Sequence, residues 1–169
     1  MIAIIVISLI CSAFFSGMEI AFVSANRIHI EIEKKQQGLL AGVLSRLTAK
    51  PSKFITTMLI GNNIALVVYA YYMGELLMGW FGQLLPADNA FLQALLTDFA
   101  LITQTVISTL IILVTAEFLP KVLFQIYSNS LLKLLAVPAY FFYILFWLLS
   151  EGVMFISDVI LKLLFRSDG

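Results

Sequence analysis

Four long apolar segments, separated by short polar stretches, run the length of this 169-residue chain and constrain its fold more than any other feature. An uncharged run of about 20 residues matches a hydrocarbon layer of about 30 Å, where the backbone must satisfy its own hydrogen bonds. Helices do so within a single segment, whereas a barrel would show shorter alternating strands. The charge content agrees, because only 12% of residues are charged, about half the usage of soluble domains. The chain therefore reads as an all-α membrane protein, with residues 1–169 forming one transmembrane domain in a lipid bilayer.

Several function classes fall away at once. Lys and Arg total 10 and Asp and Glu total 10, so no overall field points to nucleic acid. The lone Cys11 excludes an internal disulfide and argues against a thiolate metal site. "LIC" before Ser12 is a poor lipoprotein cleavage box, since Ile10 is bulky and no basic residue precedes the apolar run. No Ser/His dyad, aspartate pair or HExxH lies in the spans, so an enzyme is not expected.

The basic residues set the expected topology. The first span covers about residues 2–25, with no Lys or Arg before it and Arg27, Lys34 and Lys35 after it. The positive-inside rule then puts the N-terminus outside and residues 26–53 in the cytoplasm. Helical spacing in "LLAGVLSRL" predicts a helical hairpin against the inner membrane face, although "IHIEI" alternates like a strand. A second span, about 54–81, returns outward, and the connection 82–97 carries no basic residue. The third, about 98–126, comes back in, with Thr97 or Asp98 as its expected N-cap.

The fourth apolar stretch, about 131–165, is long enough to cross, but a crossing would put one of its cationic ends outside. Glu151, Asp158, Lys162 and Arg166 form a narrow polar stripe at helical spacing, which suits an in-plane juxtamembrane helix. Pro138 and the "SEG" at 150–152 are its expected kinks. The expected location is the cell (inner) membrane, multi-pass, with the C-terminus cytoplasmic.

Polar groups at bilayer depth are costly, so they normally face protein or water. Ser12, Ser16 and Glu19 share one face of the first span, beside a small-residue face of Ala13, Gly17, Ala21 and Ser24 that permits close helix approach. In the second span Asn62 and Asn63 point about 100° apart on a regular helix. Either one of them serves a site or the helix is broken there. Thr105, Ser108, Thr109 and Thr115 line the third span. Glu117 stands off that stripe, but Pro120 cannot donate to the carbonyl of Ala116 and will distort the turn. Carboxylate and freed carbonyl could then share a site.

Each feature has a plain alternative. Membrane hydroxyls bond their own helix, and the asparagines can bond between helices. Glu19 can pair with Arg27, and Glu117 with Lys121 at i+4. If the groups converge, their carboxylate, hydroxyl, amide and carbonyl oxygens suit Mg²⁺, Ca²⁺ or Na⁺ and disfavour zinc or copper.

"FFSGMEIAF" at 14–22, "LIGNN" at 59–63 and "AEFLPK" at 116–121 resemble, in order and spacing, the transmembrane domain of the CNNM/CorC family of magnesium transporters. The resemblance covers nearly the whole chain. It implies a homodimer of three-helix subunits, a cytoplasmic-side hairpin between the first two helices, and a juxtamembrane helix leading to cytosolic CBS-type modules absent from this chain. It also implies Mg²⁺ export, coupled to Na⁺, through a metal site of Ser16, Gly61, Asn62, Asn63 and Glu117. Glu19 also matches a family position, and the resemblance assigns it no role. Met18 stands where a small residue is common and is expected to narrow the cavity. The competing expectation is a membrane scaffold, in which the polar residues only hold helices together.

Overall fold

The computed structural model describes residues 1–86 and 88–165, and every regular element among them is helical. Arg166, counted in the polar stripe, lies outside the described residues. Three helical runs are long and apolar enough to cross a membrane: α1 (Ile2–Ser24), α4 (Pro51–Gln83) and the run Ala100–Ile126. Leu, Ile and Val side chains such as Ile2, Val67, Leu101 and Ile126 face outward, the belt that lipid covers.

Between α1 and α4 lie α2 (Arg27–Lys34) and α3 (Leu39–Ala49), which pack on each other. Asn26 caps α2, its side chain accepting from the Ile28 amide at 2.9 Å, so "IHIEI" is helical despite its alternation. Gly38 turns the chain into α3 at φ 140°, a conformation that favours glycine. Pro51 opens α4 within its first turn, where a missing N–H costs nothing. The helix then continues unbroken through Asn62 and Asn63, which closes the question of a break there.

The connection after α4 contains α5 (Ala90–Leu96), capped by Asn89. The third span begins later than expected. Thr97 ends α5, and Phe99 rather than Thr97 or Asp98 precedes α6 (Ala100–Ile112). The chain then forms a π-helical segment, Leu113–Phe118, and resumes as α7 (Leu119–Ile126).

The fourth apolar stretch comprises α8 (Ser128–Leu134), α9 (Ala136–Leu145) and α10 (Trp147–Phe165). Its breaks fall at Leu135 and Phe146, and α8 and α9 meet at 62°. The first break is the kink expected of Pro138, which has no N–H to return to the carbonyl of Leu134, whereas the kink expected at 150–152 does not appear, since Ser150 to Gly152 lie inside a continuous helix.

Two apolar clusters hold the bundle. One joins Ile5 of α1 with Tyr69, Met73 and Leu77 of α4 and Ala100 of α6. The other gathers Phe15, Met18 and Ala21 with Leu47, Phe54, Met58 and Leu132. Phe15 is boxed by Phe14, Phe142 and Phe146, with ring centroids 5.3, 4.8 and 6.2 Å away. Met18 is fully buried in this second cluster.

Candidate functional site

Pro120 explains the third span's irregularity. It has no N–H to return to the carbonyl of Ala116, and the turn before it widens until the Leu119 amide reaches Val114, five residues back. The freed Ala116 carbonyl, in a fully buried residue, accepts from the Ser16 hydroxyl at 2.8 Å. Proline thus creates an acceptor in the core, and α1 supplies its donor.

Glu117 belongs to the same π-turn and is drawn toward α4. Asn62 Nδ2 donates to its Oε1 at 3.1 Å, while Ser12 Oγ donates to Asn62 Oδ1 at 2.6 Å. Lys121 Nζ donates to the other carboxylate oxygen. A continuous polar line therefore runs from α1 through α4 to α7: Ser12, Asn62, Glu117, Lys121. Its inner end is dry and its outer end is not, for Ser12 is 0% and Asn62 7% exposed, against 21% and 40% for the Glu117 and Lys121 side chains.

The expected site residues divide. Ser16, Asn62 and Glu117 come together, joined by Ser12, which shares the Ser16 face without matching a ligand position. Asn63 turns away and donates to Leu59 O of its own helix at 2.9 Å. Gly61 serves approach: a Cβ on it would stand 2.5 Å from the Phe15 ring. Gly17 does the same for α7, a Cβ there falling 2.7 Å from the Phe124 ring. The small-residue face of α1 thus packs within the chain at Gly17. Met18 takes no part in the polar line.

The plain alternatives hold elsewhere. Thr105 and Thr115 bond carbonyls four residues back in their own span. Only Ser108 of that stripe is buried, its carbonyl accepting from Tyr69 Oη at 2.9 Å. Glu19, half-buried, and Arg27 do not pair, and neither side chain makes a hydrogen bond or ion pair among the described residues. No group of three or more His, Cys, Asp or Glu side chains converges among the described residues, so any ion here would be held mainly by neutral oxygens.

A second polar centre was not visible in the sequence. Lys53, only 3% exposed, pairs with Glu151 of α10 and lies 4.9 Å from the Trp147 ring centroid and 5.6 Å from that of Tyr143. Nearby, Arg46 donates to Tyr140 Oη at 2.7 Å, Lys133 to Glu33 at 2.7 Å, and the Asn26 amide to Asn129 Oδ1 at 2.8 Å. These links tie the last three helices to α2 and its cap, to α3 and to the first turn of α4. They are 94 to 103 residues apart in sequence, beyond any local pattern.

Residues 3–168 match the cyclin M (CNNM) transmembrane N-terminal domain. The UPF0053 inner membrane protein YfjD of Escherichia coli is 27% identical over 159 residues, 94% of this chain and 32% of its own length. The UPF0053 protein MG146 of Mycoplasma genitalium is 25% identical over 169 residues, 95% of this chain and 36% of its own. The chain thus spans about a third of the length of the curated relatives it matches.

Proposed function

Because this chain belongs to the cyclin M transmembrane domain family, we propose that it carries a divalent cation across the membrane, Mg²⁺ foremost, through a site centred on Glu117. The observation that supports this most is the convergence of Ser16, Asn62 and Glu117 from three helices on one π-turn. A carboxylate at that depth is costly unless compensated, and a cation compensates it.

The polar line supplies a way to exchange partners. Asn62 now donates to Glu117, yet its amide can turn over and present Oδ1 to an ion. Ser12 then accepts from Nδ2 instead of donating to Oδ1, because a hydroxyl does both. Lys121 holds the place of the ion in its absence and swings outward when the ion arrives. Mg²⁺ keeps several waters, so one carboxylate and a few neutral oxygens suffice. Export, Na⁺ coupling, a homodimer and CBS-type modules in the full-length protein belong to this same reading, as does α10 lying in the interface plane with the C-terminus inside.

The Glu117–Lys121 pair favours one competing reading, a scaffold in which the carboxylate only neutralises its neighbour. Mg²⁺ titration and flux in proteoliposomes separate the two. Glu117→Gln should abolish binding and flux with the fold intact, Ser12→Ala should weaken binding about tenfold through Asn62, and Lys121→Met should leave binding intact. Parent-like Mg²⁺ binding by Glu117→Gln, together with a destabilised Lys121→Met, would establish the scaffold instead.

A further inference from the structure

Where α1 ends and α4 begins, a cleft of about 320 Å³ opens against α2. Its apolar walls include Phe22, Ile30 and Ile55, and its polar side carries Arg27, Glu31 and Lys34. Glu31 is engaged by Lys34 at 2.6 Å. Arg27 is exposed and makes no hydrogen bond or ion pair among the described residues, so the cleft presents one uncommitted guanidinium beside an oily wall.

The level of the cleft matters as much as its lining. The α1 span closes at Ser24, three residues before Arg27, and Pro51 opens the α4 span on the same cleft. Two crossing helices therefore put it at the boundary between hydrocarbon and water, where lipid headgroups lie. The segment 26–53 also concentrates charge: Arg27, Lys34, Lys35, Arg46, Lys50 and Lys53 stand against Glu31 and Glu33. Such a segment is drawn to an anionic leaflet.

We propose that this cleft binds the headgroup of an anionic phospholipid, with the phosphodiester on Arg27 and the upper part of one acyl chain along Phe22 and Ile55. A planar guanidinium forks onto two phosphate oxygens, a geometry that an ammonium lacks. The Lys34–Glu31 pair limits the net charge of the cleft to one, which suits a monoanionic headgroup such as phosphatidylglycerol. This inference needs only that the chain sits in a bilayer and is independent of cation transport.

The test uses delipidated protein in detergent, given phosphatidylglycerol, phosphatidylcholine or inorganic phosphate, with retained adducts counted by native mass spectrometry. The parent should keep phosphatidylglycerol in preference to phosphatidylcholine. Arg27→Gln should retain it about fivefold less, the loss expected for one cation at the surface, with phosphatidylcholine retention unmoved. Arg27→Lys should recover part of the difference. Because Arg27 has no side-chain partner among the described residues, the melting temperature of the variant should not fall. Arg46→Gln, whose guanidinium is engaged by Tyr140, serves as the control for bulk charge. The proposal is overturned by parent-like phosphatidylglycerol retention in Arg27→Gln, by an equal loss in Arg46→Gln, by no preference between the two lipids, or by displacement of the lipid with inorganic phosphate, which would mark a simple anion site.

Discussion

Gly61 offers the sharpest test of how the site is held. A methyl at this position would stand 2.5 to 2.7 Å from three atoms of the Phe15 ring. The ring cannot simply swing aside, since Phe15 is 3% exposed and walled by Phe14, Phe142 and Phe146. Overpacking a closed core costs about 1–3 kcal/mol, while replacing a mid-helix glycine by alanine returns about 1 kcal/mol of helix propensity. Gly79 lies on the same helix with nothing within 4 Å of its would-be Cβ, so it takes the gain without the clash. Subtracting Gly79→Ala from Gly61→Ala removes propensity and leaves a packing penalty of about 1–3 kcal/mol. Thermal unfolding in detergent, followed by circular dichroism, should show Gly61→Ala melting below Gly79→Ala by roughly 2–4 °C for each kcal/mol. Phe15→Leu should rescue Gly61→Ala in a double-mutant cycle, because a smaller side chain makes room for the methyl. If both alanine variants melt together, or the cycle shows no coupling, Gly61 is not there for close approach and its place in the site needs another reason.

Three further outcomes follow from the same geometry. Ser16→Ala should cost about 1–3 kcal/mol in a chemical-denaturation series, since it strands the buried Ala116 carbonyl. The Lys53 hydrogen bond holds the Glu151 carboxyl below its ordinary value of 4.5. That stabilisation is full above pH 4.5 and is lost as pH falls through the lower native value, so Glu151→Gln should flatten the acid limb of a melting-temperature profile; at neutral pH it should melt below Lys53→Met, having left a buried ammonium without its partner. Single cysteines at Asp88 and Lys162 should react with an impermeant maleimide from opposite sides of the membrane, and labelling from one side would mean that the last apolar stretch crosses.

The spans were legible because hydrocarbon thickness translates directly into residue counts, and each boundary moved by only a few residues. Glu117 and Pro120 were legible as a cost and a missing donor. The form of the distortion was not, since widening the turn depends on Ser16 arriving from α1 to take the Ala116 carbonyl. Local sequence left Asn62 and Asn63 equivalent, and packing separated them, because only the face carrying Asn62 meets Ser12 and Glu117. Gly61 matched a ligand motif yet lies against a phenylalanine ring. The "SEG" at 150–152 misled because a single glycine can be held inside a continuous helix, and the second break falls at Phe146 instead. The Lys53 cage escaped notice for a simpler reason: Lys53 looked like a flanking charge until Trp147 and Glu151 closed over it.

The π-turn also works as a phase standard. One residue more than an α-helix needs is accommodated between Leu113 and Phe118, so everything after it is rotated about 100° and carried about 1.5 Å along the axis. The third span thereby keeps two engagements that a straight helix could not keep together: Ser108 meets Tyr69 of α4 on one side, and Phe124 meets Gly17 of α1 on another. The interval from 108 to 124 therefore carries one residue more than a straight helix would use to join the same two contacts. Losing a single residue from the turn would let it close into a regular α-helix with both flanks still in step, so the loss would fall on what the extra residue positions: Glu117 would no longer be carried toward Asn62, nor the Ala116 carbonyl toward Ser16.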